Sequence, residues 1–247
     1  MTTIAIIGMG EMGAGVAARL VERGARVITP LAGRSAATVA RAEAAGAVPV
    51  SDAEVAGAEY VLSIVPPASA AETAWSYLPL LSAAARVPVF VDCNATAPRT
   101  LLEIAAGFAE RSLPFLDASI IGLAPRPDGY SPRIYLSGAV AETAEVLGRL
   151  GLDTRVVSDA LGDASAVKMA YAGITKGFQA IGLGMAVGAA RAGALEAFVA
   201  ELKDTQPQIH AWLGKMLPTM PAKAYRWDGE MLEIARFLEP EEGAVAM

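Results

Sequence analysis

The opening of the chain constrains its fold more than any other stretch. Ile4-Ala5-Ile6-Ile7 runs straight into Gly8-Met9-Gly10-Glu11-Met12-Gly13, and an Ala/Val/Leu-rich helical pattern over 16–21 follows at once. An unbroken apolar run this short suits a buried strand, and three glycines spaced G-x-G-x-x-G carry it into a helix. Each glycine meets a separate demand. Gly8 makes the tight turn, Gly10 lets backbone approach a pyrophosphate, and Gly13 lets the helix pack close to the strand. The helix N-terminus then presents unpaired N–H groups and a positive dipole end to phosphate. A dinucleotide site over Gly8, Met9, Gly10, Glu11, Met12 and Gly13 is the expectation, against the alternative of a purely structural turn.

The segment after the first helix bears on which dinucleotide. Ala25-Arg26-Val27-Ile28-Thr29 reads as the second strand, and an NAD site usually carries an Asp or Glu just beyond it for the ribose 2′-hydroxyl. No acid occurs between Thr29 and Ser35. Gly33-Arg34-Ser35 stands there instead, with Ser35 placed to cap the next helix and Arg34 to meet a phosphate. This favours NADP(H), the alternative being an Arg34 that is simply solvated.

Strand–helix alternation continues from there. Helices are expected over 35–45, 69–81, 99–110 and 140–150, strands over 47–50, 59–65, 87–91, 114–122, 133–137 and 154–157, and an N-capped turn over 51–54. Two strands end in loops that an open parallel sheet turns toward its ligand crevice: Val65-Pro66-Pro67 and Asp92-Cys93-Asn94-Ala95-Thr96-Ala97-Pro98. Asn94 and Thr96 either contact the nicotinamide ribose or, with Asp92, close the turn and cap the following helix. From Asp159 onward the strand pattern stops. A Gly/Ala-rich helix to about Arg191 is followed by helices over 195–203, 206–216 and 228–238, with a loose tail over 239–247. Gly173 and Gly177, and again Gly184 and Gly188, sit four apart, as suits close helix packing. The fold expected is an α/β Rossmann domain over 1–158 followed by an all-α domain over 159–247, joined by a long interdomain helix.

Composition narrows the function classes. Hydrophobic residues make up 54% and charged residues 19% of the 247, apolar enough that a sizeable area is expected to be hidden between subunits. The net charge of −6 comes without a basic run, so nucleic acid and anionic membrane are not expected partners. The longest apolar stretch, 177–190, is interrupted by Gln179 and bracketed by Lys176 and Arg191, so it reads as a core helix rather than a membrane span. The first strand starts almost at once, so no signal segment is expected. Cys93 is the only cysteine and admits neither an intrachain disulfide nor a thiolate metal site, so a reduced, cytoplasmic setting is expected. His210 is the only histidine, which removes histidine triads and histidine-rich metal sites; no metal is expected.

In the first long helix, Lys168, Tyr171, Thr175 and Lys176 recur at i, i+3, i+7 and i+8, a polar stripe on an otherwise apolar helix. Buried between domains, such a stripe costs desolvation and calls for a use. One reading has both lysines reaching water at the domain boundary, with Tyr171 as ordinary core surface. The other places Lys168 under the nicotinamide, exchanging a proton at the substrate carbon that exchanges hydride, its pKa lowered by partial burial.

Together, G-x-G-x-M-G, the Val65-Pro66-Pro67 loop, the turn over 92–98, the strand end over 117–122 and Gly162 followed by Lys168 resemble the 3-hydroxyacid dehydrogenase / 6-phosphogluconate dehydrogenase superfamily across nearly the whole chain. The resemblance implies a Rossmann domain before a helical domain and homodimers formed through the helices. It implies NADP(H)-dependent hydride transfer between a carbonyl and an alcohol, with Lys168 as acid/base. It places the pyrophosphate on Gly8, Gly10, Met12 and Gly13, the 2′-phosphate on Arg34 and Ser35, and the adenosine–ribose path along Val65, Pro66 and Asn94. Gly33, Pro67 and Thr96 complete the cofactor set.

Two motifs depart from that pattern. The family's Asp-Ala-Pro-Val-Ser-Gly-Gly, which holds a substrate carboxylate, reads Asp117-Ala118-Ser119-Ile120-Ile121-Gly122-Leu123 here, leaving Ser119 and Gly122, with Thr175, as the expected substrate contacts. Its Lys-x-x-Asn-Asn reads Lys168-Met169-Ala170-Tyr171-Ala172, which puts Tyr171 in line to hold the substrate oxygen beside Lys168. The Lys-Met-x-Tyr-Ala-x-x-Thr-Lys-Gly run is similar to a less-studied branch with a C-terminal domain of unknown function. A substrate pair more apolar than a simple hydroxyacid is therefore implied. An imine reductase and a non-catalytic NADP-binding regulatory protein are the alternatives.

Overall fold

The apolar run that opens the chain lies in the middle of a sheet. In the computed structural model, which describes residues 1–225 and 227–239, β1 (Thr3–Ile7) leads into α1 (Glu11–Glu22), β2 (Arg26–Pro30), α2 (Ala36–Ala44) and β3 (Val48–Val50). A 3₁₀ turn (Ala53–Gly57) brings the chain back to β4 (Tyr60–Ser63). There follow α3 (Ala70–Ser82), β5 (Val89–Asp92), α4 (Pro98–Ala109), β6 (Phe115–Ile121), β7 (Arg133–Ser137), α5 (Ala141–Arg149) and β8 (Asp153–Ser158). The eight strands lie in the order β3-β2-β1-β4-β5-β6-β7-β8. All neighbours pair in parallel except β6 and β7. Because β1 pairs with both β2 and β4, the order reverses between β1 and β4, the switch point at which open α/β sheets hold ligands.

Helices cover both faces, and this is why the central strands carry no polar alternation. Ile4 and Ile6 of β1 join the core that contains Val16 and Leu20 of α1. Ala5 and Ile7 join the opposite core with Leu78 of α3 and Leu101 of α4. There Phe108 lies 4.7 Å from Phe90 and 4.9 Å from Phe115, centroid to centroid.

The helical half begins with α6 (Asp163–Arg191) and continues through α7 (Leu195–Thr205), α8 (Pro207–Met216), α9 (Pro221–Ala224) and α10 (Asp228–Leu238). Its attachment to the sheet is a buried carboxylate. Asp117 Oδ2 accepts from the backbone N–H of Gly162 (3.1 Å) and Ser165 (3.0 Å) and from Ser137 Oγ (2.9 Å), and Oδ1 accepts from Ser165 Oγ at 2.8 Å. The carboxylate thus satisfies orphan donors at the start of α6. The strand end that reads as the beginning of a substrate cradle opens, at Asp117, on this structural anchor.

Two expectations for the helical half change. The short α9 and a 3₁₀ turn (Leu217–Thr219) stand between α8 and α10, where prolines at 218 and 221 restart the chain. Among the described residues, the glycines four apart do not mark a packed seam, since a Cβ at Gly177, Gly184 or Gly188 would meet nothing within 4 Å. Gly173, against Ile234, and Gly182, against Leu213, are the α6 glycines with neighbours. Beside the open ones α6 exposes Ile174 (66%), Ile181 (65%) and Met185 (59%). The expected loose tail falls, from residue 240 on, outside the described residues. Among the described residues no helix is long and apolar enough to cross a membrane.

Candidate active site

The glycine turn is built as its spacing requires. Gly8 has φ +99° and no room for a side chain, since a Cβ would collide with the Ile64 carbonyl; a Cβ on Gly13 would collide with the Gly8 carbonyl. At Gly10 nothing described lies within 4 Å of where a Cβ would stand. Two glycines therefore serve the protein's own packing, and the third leaves the backbone open to a ligand. The space it opens is a cavity of about 490 Å³ at the switch point. Gly8, Met9, Gly10, Glu11, Met12 and Gly13 form one wall, Arg34 and Thr38 a second, Ile64, Val65 and Pro66 a third, and Gly122, Leu123 and Ala124 the last.

Beyond β2 the Gly33 turn (φ +70°) presents Arg34 to the cavity, while Ser35 caps α2, its hydroxyl accepting from the Thr38 N–H at 3.3 Å. Arg41 is a residue the sequence reading missed. Its Nε donates to the Met9 carbonyl at 3.1 Å and Nη2 to Thr38 Oγ1 at 3.0 Å. It ties α2 to the glycine turn and sets a second guanidinium beside that wall. Its place in the last turn of α2, seven residues after Arg34, gave no local signal of that contact.

The loops after β4 and β5 are joined by Asn94. Its Oδ1 accepts from the Val65 N–H at 2.7 Å, its Nδ2 donates to Ser63 Oγ at 3.1 Å, and the residue is buried. Of the two readings of Asn94, ribose contact or turn closure, these bonds show the second: the side chain latches Val65 of the cavity wall. Pro67 lies beyond that wall, in a 3₁₀ turn (Pro67–Ser69) whose Pro67 Cβ is 4.0 Å from the Cβ position of Gly229. Thr96 and Ser119 are fully buried, and neither hydroxyl has a partner among the described residues. Asp92 Oδ1 accepts from the Asn94 N–H at 2.9 Å while Oδ2 has no partner among the described residues. Burial, with Asp117 directly opposite on β6, pushes the Asp92 carboxyl up to about 7. Burial and the same two carboxylates push the Cys93 thiol well above its ordinary value, which keeps it protonated.

Lys168 reaches the sheet from α6. Its Nζ donates to the Ile120 carbonyl at 3.0 Å, and two residues further on β6 runs into Gly122 of the cavity wall. The same ammonium lies 3.6 Å from Glu230 Oε1 of α10, which Lys176 approaches to 2.8 Å. Lys176 Nζ stands 5.5 Å from the centre of the Trp227 ring, within cation–π range. Burial pulls the Lys168 amine below the ordinary lysine value, with Lys176 pulling the same way and Glu230 opposing. Burial also acts to raise Glu230, but the two lysines outweigh it and hold the carboxyl below its usual range. Glu230 could not be found from the sequence, because nothing local to 228–238 distinguishes it from other surface acids of an amphipathic helix.

Of the expected polar stripe, Lys176 stays with Lys168 on Glu230, while Tyr171 and Thr175 part from it. Tyr171 is 54% exposed. The Thr175 hydroxyl donates back to its own helix, to the Tyr171 carbonyl at 2.9 Å. Thr175 also lines a separate apolar groove with Phe178 and Trp212. A lysine pair eight residues apart can share one glutamate, whereas i+3 and i+7 fall on the side that α10 does not cover.

The loop between β6 and β7 holds the last wall. Gly122 has φ +135° and lies against the Tyr130 hydroxyl, which accepts from the Leu123 N–H at 3.1 Å. Arg19, buried on α1, donates from Nη2 to the Arg126 carbonyl at 3.0 Å. The residues of this wall that line the cavity, Gly122, Leu123 and Ala124, carry no polar side chain.

Residues 3–126 match the family described as the NAD binding domain of 6-phosphogluconate dehydrogenase, and residues 189–247 match a domain of unknown function, DUF1932. A 3-hydroxyisobutyrate dehydrogenase of Pseudomonas aeruginosa is 34% identical over 125 residues, 49% of this chain. The match spans 41% of that protein's length. The solved structure of MTH1747, a conserved protein of unknown function described as structurally similar to 3-hydroxyacid dehydrogenases, is 31% identical with a TM-score of 0.76. It is covered over 92% of its length by 98% of this chain. An imine reductase from Myxococcus stipitatus, solved with NADP+, shares the fold at 20% identity and a TM-score of 0.67, covering 90% of this chain and 78% of its own.

Proposed function

This chain belongs to the family whose nucleotide-binding half is the NAD binding domain of 6-phosphogluconate dehydrogenase, and on that footing we propose that it is an NADP(H)-dependent oxidoreductase acting on a carbonyl/alcohol pair. The observation that carries the reading is the position of Lys168, a half-buried amine on the carbonyl of Ile120 where β6 turns into the wall of the glycine-turn cavity. The cavity fits the cofactor. Gly10 leaves a close approach open, the α1 N-terminus lines the same cavity and suits a pyrophosphate, and Arg34 with Thr38 on the next wall supports a 2′-phosphate contact. When bound, a nicotinamide dinucleotide supplies the hydride. Lys168, as ammonium, gives a proton to the carbonyl oxygen in reduction and takes it back in oxidation. Burial lowers its pKa below the ordinary lysine value, which eases proton transfer in both directions. Ile121 and Leu123, at positions where the family has Ser and Gly, support a substrate more apolar than a simple hydroxyacid. Homodimerisation through the exposed apolar face of α6 belongs to the same proposal.

The test is NADPH consumption against a panel of ketones, aldehydes and cyclic imines, with the Lys168→Met variant beside the wild type. The expected result is carbonyl reduction that falls by about two orders of magnitude or more in the variant, with NADPH affinity within a factor of about three of the wild type by fluorescence titration. Turnover of imines alone would make the chain an imine reductase. Tight NADPH binding with no turnover on the panel would make it a nucleotide-binding regulator. Undiminished turnover in Lys168→Met would remove the lysine from the mechanism.

A further inference from the structure

We infer that Glu230 is a positioning residue for this reaction: its carboxylate, carried by α10, fixes the Lys168 amine over the end of β6 and keeps it in the ammonium form that donates the proton. The inference rests on Lys168 being the proton-transfer group proposed above. It goes beyond it in naming a residue of the DUF1932 half, 62 positions away in sequence (230 less 168), as a part of the site.

The geometry is a clamp. Lys168 Nζ has the Ile120 carbonyl at 3.0 Å on the sheet side and Glu230 Oε1 at 3.6 Å on the α10 side. A carbonyl alone leaves a four-carbon side chain free to swing, while two oxygens on different elements select one placement. Glu230 is held in turn by charge: Lys176 stands 2.8 Å from the same oxygen, an ion pair without hydrogen-bond geometry among the described residues, and is itself set over the Trp227 ring. The helix that carries Glu230 is fastened one turn later. Glu233 Oε2 accepts from the Ala97 N–H at 2.8 Å and from Thr100 Oγ1 at 2.7 Å, at the N-terminus of α4.

Charge gives the clamp its second function. Among the described residues the charged groups that face Lys168 are Glu230 from α10 and Lys176 from α6 itself. β6 contributes the Ile120 carbonyl, and its Asp117 is occupied by Ser137, Gly162 and Ser165. Desolvation and Lys176 both favour the neutral amine, and Glu230 is the group that opposes them. Without it, nothing among the described residues offsets the two effects that favour the neutral amine.

The ionisation of Lys168 is read directly, in the full-length protein with NADP+ bound, from the pH dependence of acetylation by acetic anhydride, followed by mass spectrometry of the Lys168 peptide. Glu230→Gln is expected to move the Lys168 midpoint down by about one to three pH units. Glu230→Asp should recover most of that shift, and Lys176→Met should move the midpoint up. The alkaline limb of kcat for reduction should move down with the midpoint, while NADPH affinity stays within a factor of about two. An unchanged midpoint in Glu230→Gln overturns the proposal. If that variant does not fold, an upward shift in Lys176→Met together with a small downward one in Glu230→Asp supports it, and no shift in either overturns it. Failure of the Lys168 reading shows separately, as turnover that persists in Lys168→Met whatever the acetylation midpoints do.

Discussion

Truncation of Glu233 to Ala tests how the helical half is fastened to the nucleotide-binding half. Glu233 is 5% exposed, and its Oε2 receives two hydrogen bonds, from the Ala97 N–H at 2.8 Å and Thr100 Oγ1 at 2.7 Å. Hydrogen bonds to a charged group contribute about 1.5–3 kcal/mol each, and a carboxylate at a helix N-terminus adds about 0.3–1 kcal/mol. The Arg236 pair at 2.7 Å adds little, because the Arg236 side chain is 56% exposed. Ala97 is fully buried, so its N–H is left without a partner in the variant unless water enters. Allowing for that relaxation, the expected loss is about 3 kcal/mol. For a chain of this size that lowers the melting temperature by roughly 6–12 °C if it unfolds as one unit. Differential scanning calorimetry reads the loss, and hydrogen exchange should locate it in α10 and the first turn of α4. Glu233→Gln, which keeps an acceptor for Ala97 but not the charge, should fall between. A melting temperature within 1–2 °C of the wild type in Glu233→Ala, with exchange in α10 unchanged, would refute the assignment of these bonds as the fastening.

Two further outcomes follow from the same structure. Asp92 is raised to about 7 by burial, so between pH 4 and 7 the folded state keeps a proton that the unfolded state has lost. Stability contributed by the protonated carboxyl is then full below pH 4 and lost as pH rises through 7. Asp92→Asn, which leaves the acceptor for Asn94 intact and replaces an oxygen without a partner among the described residues, should gain stability over the wild type steadily across that interval by urea unfolding; a pH-independent difference would sink the assignment. Arg34→Ala should weaken NADPH binding about tenfold or more while changing NADH binding less than threefold, read by fluorescence titration. Equal losses for both would mean that Arg34 does not meet the 2′-phosphate.

Much of the nucleotide-binding half was legible because its signals are local. The spacing of Gly8, Gly10 and Gly13 encodes steric facts that involve only β1, α1 and the neighbouring β4, and the structure answers each: two positions crowded, one open. Runs such as Tyr60-Val61-Leu62 are continuous because both faces of their strands are covered. The side chains at the crevice were read less well. Asn94 occupies a position where a ligand contact and a loop latch demand the same residue, and only its partners at Val65 and Ser63 separate them. Asp117, quoted as part of a substrate motif, is used by the start of α6, 45 residues on at Gly162. Tyr171 and Thr175 fit the helix period of Lys168, but the period says which residues share a face and not where a covering helix stops.

That covering helix explains the rest. On α10, Gly229 comes against Pro67 beside the cavity wall, Glu230 meets Lys168 and Lys176, Glu233 caps α4, and Ile234 packs with Met169 and Ala172 of α6. Positions i, i+1, i+4 and i+5 form one face, so a single helix face reads the loop after β4, the candidate lysine and the helix after β5. None of these contacts leaves a mark within 228–238, whose sequence shows only an amphipathic segment. Any movement of α10 therefore changes the cavity wall and the lysine together. For this reason the Glu233→Ala variant, which touches neither lysine nor cavity, should also lower turnover more than its loss of folded protein accounts for.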